Sequence, residues 1–290
     1  MFSTALIATD LSPASSNVLE CLSGLRLLGT RRVILIHALG IKHLEQMKHL
    51  LAPHVEPFLA AQSDRVEAQG FETTTVIAPG LPVFEVNRVA KERDASLIVV
   101  GSHGWTLAKE ALLGGTATGI LHHAELPVLV VRLKIWEQGG QSRCEIACSD
   151  FRRHILFCTD FSETADRAFT YVEKLVENGT ERVTLLHVQD QSRIERHLKH
   201  HLDEFNQIDR ERLERLEARL KQLGEVDVRI ELPYGYPIQE ILRHAKQEDY
   251  NLIVMGSQGR GFLAKLFLGS VSHNVVRHVP VPVLLVPPLR

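Results

Sequence analysis

The sequence has few cysteines, no excess of charge of one sign and no long hydrophobic run. Cys21, Cys144, Cys148 and Cys158 are its only cysteines among 290 residues, which is not the density of a disulfide-stabilised scaffold. Cys144 and Cys148 lie in a polar stretch, but two cysteines supply only half of a zinc site. We therefore expect four free thiols and no metal site.

Charge and hydrophobicity argue against two further classes of protein. Lysine and arginine number 33 against 35 acidic residues, a formal net charge of −2, so the chain lacks the basic field that non-specific nucleic-acid binding requires. No apolar stretch approaches the ~20 residues of a membrane helix. The first ten residues have no basic segment and pass into a strand-like run, unlike a secretory signal. We expect a cytoplasmic chain that binds neither nucleic acid nor membrane.

The sequence does contain an internal repeat over almost its whole length. Residues 9–12 read Thr-Asp-Leu-Ser, and residues 159–162, 150 positions later, read Thr-Asp-Phe-Ser. Later matches are 155 positions apart, so the second copy has gained five residues; they pair Gly80 with Gly235, Pro82 with Pro237, Gly101 with Gly256, and 126–129 with 281–284. A repeat of this length indicates duplicated domains rather than a solenoid.

The two copies meet in a polar connector. Residues 137–142, Glu-Gln-Gly-Gly-Gln-Ser, have the composition of a flexible linker. We place the boundary near residue 145, which gives domains over 1–145 and 146–290.

Each copy alternates short apolar runs with helical patterns. In the second copy the runs lie at 155–159, 183–188, 226–231, 252–256 and 281–286, and they are typical of strands buried on both faces of a parallel sheet. The longest helical pattern covers about 201–223, and we expect its apolar stripe, from Phe205 and Ile208 to Leu220, to face the core. The pattern predicts two tandem α/β domains, each a doubly wound five-stranded parallel sheet.

Ligands of doubly wound domains bind beyond the carboxyl ends of the strands, where the second copy is rich in glycine. Residues 256–259 read Gly-Ser-Gln-Gly, and residues 269–272 read Gly-Ser-Val-Ser after a spacer of nine. Glycines let the backbone approach an anion. Ser270 is placed to cap a helix whose free amides and positive dipole end would face a phosphate. The hydroxyls of Ser270 and Ser272 add donors, so the pattern predicts a phosphate site.

Two other phosphate motifs are missing. The P-loop pattern G-x-x-x-x-G-K-[ST] occurs nowhere in the sequence, which excludes a P-loop nucleotidase. A Rossmann fingerprint would follow the first strand, where the second copy has Cys-Thr-Asp-Phe at 158–161.

The combination resembles the ATP-binding members of the universal stress protein family. It comprises G-x2-G-x9-G-S, the Thr-Asp-Phe-Ser-Glu-Thr segment at 159–164, His187-Val188 and the final Pro-Val-Leu-Leu-Val strand, and both copies share the pattern. The resemblance implies an adenine nucleotide α-hydrolase-like, Rossmann-like fold with domains related by pseudo-twofold symmetry. It also implies ATP or AMP as the ligand, with Mg²⁺ accompanying ATP.

The resemblance further implies which residues bind the nucleotide. Asp160 would meet the adenosine and the backbone of Val188 the adenine; the phosphates and ribose would lie against Gly256, Gly259, Gly269, Ser270, Val271 and Ser272, with Thr159 and Arg260 beside them. From the residues alone, Asp160 could instead be a turn or cap residue. His187 is expected to be a hydrogen-bonded core residue rather than a chemical group.

The first copy departs from this motif. Gly115 stands where the second copy has Ser270, and Ala117 stands where it has Ser272. Losing two neutral donors costs about 1 kcal/mol each, roughly tenfold in affinity per group. We predict a weaker second site, formed by Asp10, Ala38, Gly101, Gly104, Gly114, Gly115 and Thr116. A shift of register that lets Thr116 replace the serine is left open.

Catalytic signals are weak. No Ser-His-Asp, Cys-His or paired-carboxylate spacing demands catalysis, and no base stands beside the predicted phosphates. His197, His200 and His201 share helical spacing but lie among basic residues, which favours a solvated face over a metal site. We expect a nucleotide-binding sensor or regulator of stress responses with at most slow ATP hydrolysis. The alternatives are an adenylate-handling hydrolase or transferase, and a first copy that serves as an interaction scaffold without ligand.

Both copies end in an apolar strand, at 127–131 and 282–286. An unpaired edge of this kind promotes aggregation. Because the connector raises the effective concentration of one copy near the other, we expect the two terminal strands to pair within the chain. We also expect the chain to form a homodimer through helical faces.

Overall fold

The computed structural model describes residues 1–20, 22–40, 45–102, 113–138, 141–146, 150–195, 199–260 and 268–289. For 45–49, 133–138, 141–146 and 199 it describes the backbone alone. The chain divides into two compact units, Met1–Asp150 and Phe151–Arg290. No helix among these residues has both the length and the apolar character needed to cross a membrane.

The first unit is a parallel sheet covered by helices. Its elements in chain order are β1 (Thr4–Ala8), α1 (Pro13–Glu20), α2 (Ser23–Leu27), β2 (Arg32–Ala38), α3 (Glu45–Ala68), β3 (Glu72–Ala78), α4 (Pro82–Glu92), β4 (Leu97–Gly101), α5 (Gly115–His123) and β5 (Val128–Val131). The strand order is β3-β2-β1-β4-β5, and every pair is parallel. Leu6, Leu35 and Val99 of the central strands are fully buried, as expected for a sheet with helices on both faces.

The second unit repeats this plan. It contains β8 (His154–Cys158), α6 (Glu163–Glu177), β9 (Arg182–Leu186), β10 (Gln189–Asp190), α7 (Gln191–Ile194), α8 (Leu202–Leu223), β11 (Asp227–Glu231), β12 (Tyr234–Gly235), α9 (Pro237–Gln247), β13 (Leu252–Gly256), α10 (Ser270–His278) and β14 (Val283–Val286). The strand order is β11-β9-β8-β13-β14, again wholly parallel. The prediction of tandem α/β domains with five-stranded parallel sheets is confirmed.

The connector differs from its expectation as a flexible linker. Two strands, β6 (Leu133–Gln138) and β7 (Gln141–Ile146), pair in antiparallel fashion with Gln138 opposite Gln141. The sequence between them is Gly-Gly, and two glycines between short strands are a signal for a two-residue hairpin turn. The polar connector that suggested flexibility therefore contains two paired strands of the first unit.

Helix α8 also differs from its expectation. Leu213 and Leu220 are fully buried, but Ile208 on the same stripe is 49% exposed. The stripe therefore faces the core only in the second half of the helix. Its first half, with Phe205 and Ile208, lines a cavity.

Candidate nucleotide site

The turn after β8 is built by its own polar side chains. The Phe161 amide donates to Thr159 Oγ1 at 2.9 Å, and the Ser162 amide donates to Asp160 Oδ1 at 3.1 Å. Ser162 Oγ then accepts the Ala165 amide at 3.2 Å and caps α6. Asp160 thus has the turn role that the residues alone allowed.

Asp160 also joins this turn to the loop after β13. Its second oxygen, Oδ2, accepts the Arg260 amide at 3.0 Å. A Cβ at position 259 would lie 2.5 Å from the same oxygen, so only glycine fits there without moving the carboxylate. Gly259 is therefore required by Asp160 whether or not a ligand binds.

Helix α10 begins one residue earlier than the serine cap predicts. Gly269 is the N-cap, Ser270 is the first helical residue, and no side chain caps the helix. The first intrahelical bond runs from the His273 amide to the Gly269 carbonyl at 2.9 Å. The amides of Ser270, Val271 and Ser272 precede that bond, which leaves them for an anion at the positive end of the helix dipole.

Ser272 has a different role from the one expected. Its buried hydroxyl donates to the Ser257 carbonyl at 2.7 Å and also lies 3.0 Å from the Gly269 carbonyl. A hydroxyl has one proton, so the Ser272 hydroxyl fastens the loop instead of donating to a phosphate. Ser270 is exposed, and its role as a donor to a phosphate stays a prediction.

The end of β9 presents backbone groups to the same region. The amides of His187 and Gln189 donate to the carbonyls of Glu231 and Pro233. Because backbone groups alternate along a strand, the amide and carbonyl of Val188 point the other way, toward β8.

His187 is a buried, hydrogen-bonded residue, as expected. Its Nδ1 lies 2.8 Å from the Thr159 carbonyl, so the ring braces the turn after β8. Burial lowers the pKa of His187, partly opposed by the Thr159 carbonyl and by Asp209, whose Oδ2 lies 3.5 Å from Nε2.

These elements enclose a cavity of about 660 Å³ at the carboxyl ends of β8, β9 and β13, a size typical of small-molecule sites. All ten predicted nucleotide-binding residues of the second copy line it: Thr159, Asp160, Val188, Gly256, Gly259, Arg260, Gly269, Ser270, Val271 and Ser272.

Sequence reasoning missed the opposite wall of the cavity. This wall comes from α7, α8 and α9 and includes Ile194, Phe205, Ile208, Arg212 and Ile241. The available signal was the apolar stripe of α8, whose first half faces the ligand space and whose second half faces the core. Cys158 also lines the cavity; burial raises the pKa of its thiol and keeps it protonated.

The first unit repeats the turn but not the whole loop. The amides of Leu11 and Ser12 donate to Thr9 Oγ1 and Asp10 Oδ1 at 3.1 and 3.0 Å. His37 Nδ1 lies 3.0 Å from the Thr9 carbonyl. Ala38 and Gly101 end β2 and β4, and Gly104 lies outside the described residues.

Helix α5 starts at the position equivalent to the start of α10. Gly114 is its N-cap, Gly115 its first residue and Thr116 its second. Thr116 therefore occupies the place of Val271, and the register shift that would let it replace Ser270 is not observed. Ala117 is buried at the place of Ser272 and has no hydroxyl to fasten the loop.

The histidines, cysteines and acidic residues are the candidate metal ligands of this chain. No group of three or more histidine, cysteine or acidic residues that could hold a metal ion occurs in the part of the chain that is described. His200 and His201 stack on each other, and His201 pairs with Glu204. His197, Cys21 and Cys148 lie outside the described residues, and of Cys144 the backbone alone is described.

Comparison with known proteins identifies the family. The universal stress protein family model matches the chain twice, over residues 1–132 and 152–287. A universal stress protein of Methanocaldococcus jannaschii is 33% identical over 152 residues, covering 46% of this chain and 94% of that protein. One of Mycolicibacterium smegmatis is 30% identical over 198 residues, covering 68% and 63%. The solved structure of a universal stress protein from Archaeoglobus fulgidus shares the fold, with a TM-score of 0.70 at 24% identity over 98% of this chain and 96% of that one. The chain belongs to the universal stress protein family and contains two copies of its domain.

Proposed function

We propose that the second unit binds an adenine nucleotide, ATP or AMP, and that the chain is a nucleotide-dependent sensor or regulator of stress responses. The observation that carries this proposal is the convergence of ten predicted residues on one cavity of suitable size. They lie at or after the carboxyl ends of three different strands, β8, β9 and β13, so their meeting is a property of the folded unit.

The lining of the cavity suits both parts of a nucleotide. Leu186, Val188 and Met255 supply apolar surface, and the Val188 backbone offers a donor and an acceptor to an adenine edge. The uncapped amides of α10 supply donors for a phosphate. Each carboxylate oxygen accepts more than one hydrogen bond, so Asp160 can hold its turn and still accept a ribose hydroxyl.

The site is better suited to binding than to catalysis. The carboxylates that line the cavity are Asp160, Asp190 and Asp209. Asp160 accepts the Arg260 amide, Asp190 accepts the Ser192 amide and hydroxyl, and Asp209 faces Arg212 and His187. Each of these carboxylates already binds groups of the protein, and we expect at most slow hydrolysis of ATP. Mg²⁺ would be held chiefly by phosphate oxygens and water.

The test is the ligand itself. We expect freshly purified, denatured protein to release an adenine nucleotide at no more than about one per chain, because the second unit alone has the complete motif. Titration of the full chain should show binding of adenine but not guanine or pyrimidine nucleotides. Absence of adenine nucleotide in both measurements would contradict the proposal, and rapid turnover of ATP with Mg²⁺ would favour an enzyme instead.

A cytoplasmic location and assembly as a homodimer complete the proposal. The near-neutral charge supports a protein without affinity for nucleic acid. Light scattering of the purified chain measures the assembly, and a mass of one chain at all concentrations would contradict the homodimer.

A further inference from the structure

Two arginines of the second unit converge on one aromatic ring at the cavity. The guanidinium carbon of Arg212 lies 4.9 Å from the centre of the Phe161 ring, and that of Arg260 lies 5.8 Å from it. Both distances are within the range of cation–π attraction. The three side chains come from α8, from the loop after β13 and from the turn after β8, and both arginines line the cavity.

The positive charge of this cluster is only partly balanced. Arg212 Nη1 lies 3.5 Å from Asp209 Oδ1. The same carboxylate faces His187 and Gln189. Within the described residues, no carboxylate forms an ion pair with the Arg260 side chain, whose backbone amide alone contacts Asp160. Two guanidinium groups near one ring repel each other, and an anion between them would relieve that repulsion.

The cluster is an addition to the shared turn. Leu11 in the first unit has φ of 61° and Phe161 has φ of 56°, so the backbone has the same conformation with or without an aromatic ring. Aligning the buried Leu59 of α3 with the buried Leu213 of α8 places Phe58 at the position of Arg212. The backbone of the turn therefore does not require the ring or the arginines.

We propose that Phe161, Arg212 and Arg260 form a second phosphate subsite, which makes the cavity prefer adenosine di- or triphosphate to the monophosphate. The inference rests on the proposed function. The amides of Ser270, Val271 and Ser272 take the first phosphate, and the two guanidinium groups take the next. Phe161 is a positioning residue that orients both arginines toward the cavity.

The experiment is titration of the full chain with AMP, ADP, ATP and adenosine 3′,5′-bisphosphate at fixed ionic strength. We expect the wild type to bind ADP at least about tenfold more tightly than AMP, the typical gain from one charged hydrogen bond. Arg212→Gln should remove most of this preference while AMP affinity changes little, and Arg260→Gln should weaken the binding of ADP more than that of AMP. Phe161→Leu, which introduces the residue that the first unit has at this position, should also reduce the preference for ADP over AMP. Repeating the titrations at higher salt should reduce the ratio of the ADP affinity to the AMP affinity, because salt screens charge.

The matched control is Arg219→Gln on the same helix. Arg219 lies 4.9 Å from the centre of the Phe169 ring and pairs with Glu173 at 2.8 Å, but it does not line the cavity. It should leave the preference for ADP unchanged.

The outcomes separate the two proposals. A wild type that binds none of the adenine nucleotides contradicts the proposed function. Equal affinity for AMP and ADP, or an Arg212→Gln variant that weakens both equally, overturns the subsite and leaves the function standing. A preference for the 3′,5′-bisphosphate over ADP that Arg212→Gln removes would keep a two-phosphate ligand but place the second phosphate on the ribose, and would overturn the preference for a diphosphate chain.

Discussion

The first and second units build the same turn after their first strands, but they surround it with different side chains. In both, a threonine hydroxyl and an aspartate carboxylate accept backbone amides, and a histidine contacts the threonine carbonyl. Around the second turn lie Arg212 and Arg260, whereas the first unit has Phe58 at the place of Arg212, 65% exposed. The difference teaches that local hydrogen bonds preserve a backbone after duplication while the side chains around it change.

The starts of α5 and α10 also share a backbone conformation while their side chains differ. Gly114 and Gly269 have nearly identical backbone angles, with φ of −64° and −63° and ψ of 151° in both. The residues that follow differ in their hydroxyl groups, so the two helices share the amides that precede their first intrahelical bond, but not the hydroxyl that fastens the loop.

The largest effect we expect is a loss of stability, and it depends on which side of the terminal strand β14 loses a backbone donor. The amides of Ile253 and Ser257 donate to the carbonyls of Pro282 and Val286. Because backbone groups alternate in direction along a parallel ladder, the amide of Leu284 points toward β13 and the amide of Leu285 points away from it. Leu284→Pro should destabilise the second unit by about 3 kcal/mol or more, as loss of a ladder donor and a ring clash predict. Urea unfolding measures this change.

Leu285→Pro is the matched variant and tests the pairing of the two terminal strands, which stays a prediction. Its outward amide is not needed by β13, so the second unit should keep its own sheet. If the terminal strands pair within the chain, this variant should weaken the association of the two units. Limited proteolysis would detect the change as faster cleavage of the connector. Unchanged proteolysis would contradict the pairing.

The next effect concerns the paired aspartates. Asp160→Ala should weaken adenine-nucleotide binding by roughly tenfold to a hundredfold, since a charged acceptor contributes about 1.5–3 kcal/mol. Asp10→Ala, at the equivalent place in the first unit, should leave the affinity of the tight site unchanged. Calorimetric titration of the full chain measures both. Equal losses in the two variants would show that the comparison between the units is wrong.

A smaller effect concerns the loop hydroxyl. Ser272→Ala removes the bonds to the Ser257 and Gly269 carbonyls and should cost about 1 kcal/mol of stability in the second unit. In the converse variant, Ala117→Ser, the new hydroxyl should donate to the Ser102 carbonyl. This carbonyl is the counterpart of that of Ser257, and it accepts the Gly114 amide at 2.9 Å in the same way. The variant should therefore stabilise the first unit. Thermal unfolding measures both changes. A stabilised Ser272→Ala variant would contradict the role given to this hydroxyl.

The smallest effect concerns pH. Burial lowers the pKa of His154, His187 and His244 in the second unit. Because an unfolded histidine has a pKa of about 6.5, the folded unit binds fewer protons than the unfolded chain below that pH. Its free energy of unfolding should therefore decrease as the pH falls below about 6.5, and should not depend on these groups above it.

Urea unfolding at neutral and mildly acidic pH checks this expectation. His154, which lies 3.0 Å from the Thr184 hydroxyl, has Thr4 as its counterpart in the first unit. His154→Gln should reduce the loss of stability on acidification. An unchanged loss in that variant would assign the effect to other groups.

The parts of the site that were predictable are those written in short stretches of sequence. The Asp160 turn, the pair Gly256 and Gly259, and the start of α10 each depend on residues within a few positions of one another. The types of those residues indicate the local backbone geometry. The pairing of β6 and β7 also had a local signal, the Gly-Gly sequence between them, but the composition of the segment was interpreted as flexibility. Ser270 was misplaced by one position, because a glycine serves as N-cap nearly as well as a serine.

The sequence by itself determined the duplication, the α/β class and the residues that gather at the carboxyl ends of the strands, because periodicity and turn chemistry are local. Only the tertiary structure decided which half of α8 faces the cavity and which half faces the core. It also decided that Asp160 accepts the amide of Arg260, 100 positions away, and that Arg212 reaches Phe161. The physical reason is that such contacts depend on how helices pack against the sheet, and the side chains of a stripe look the same in sequence whether they meet a core or a ligand.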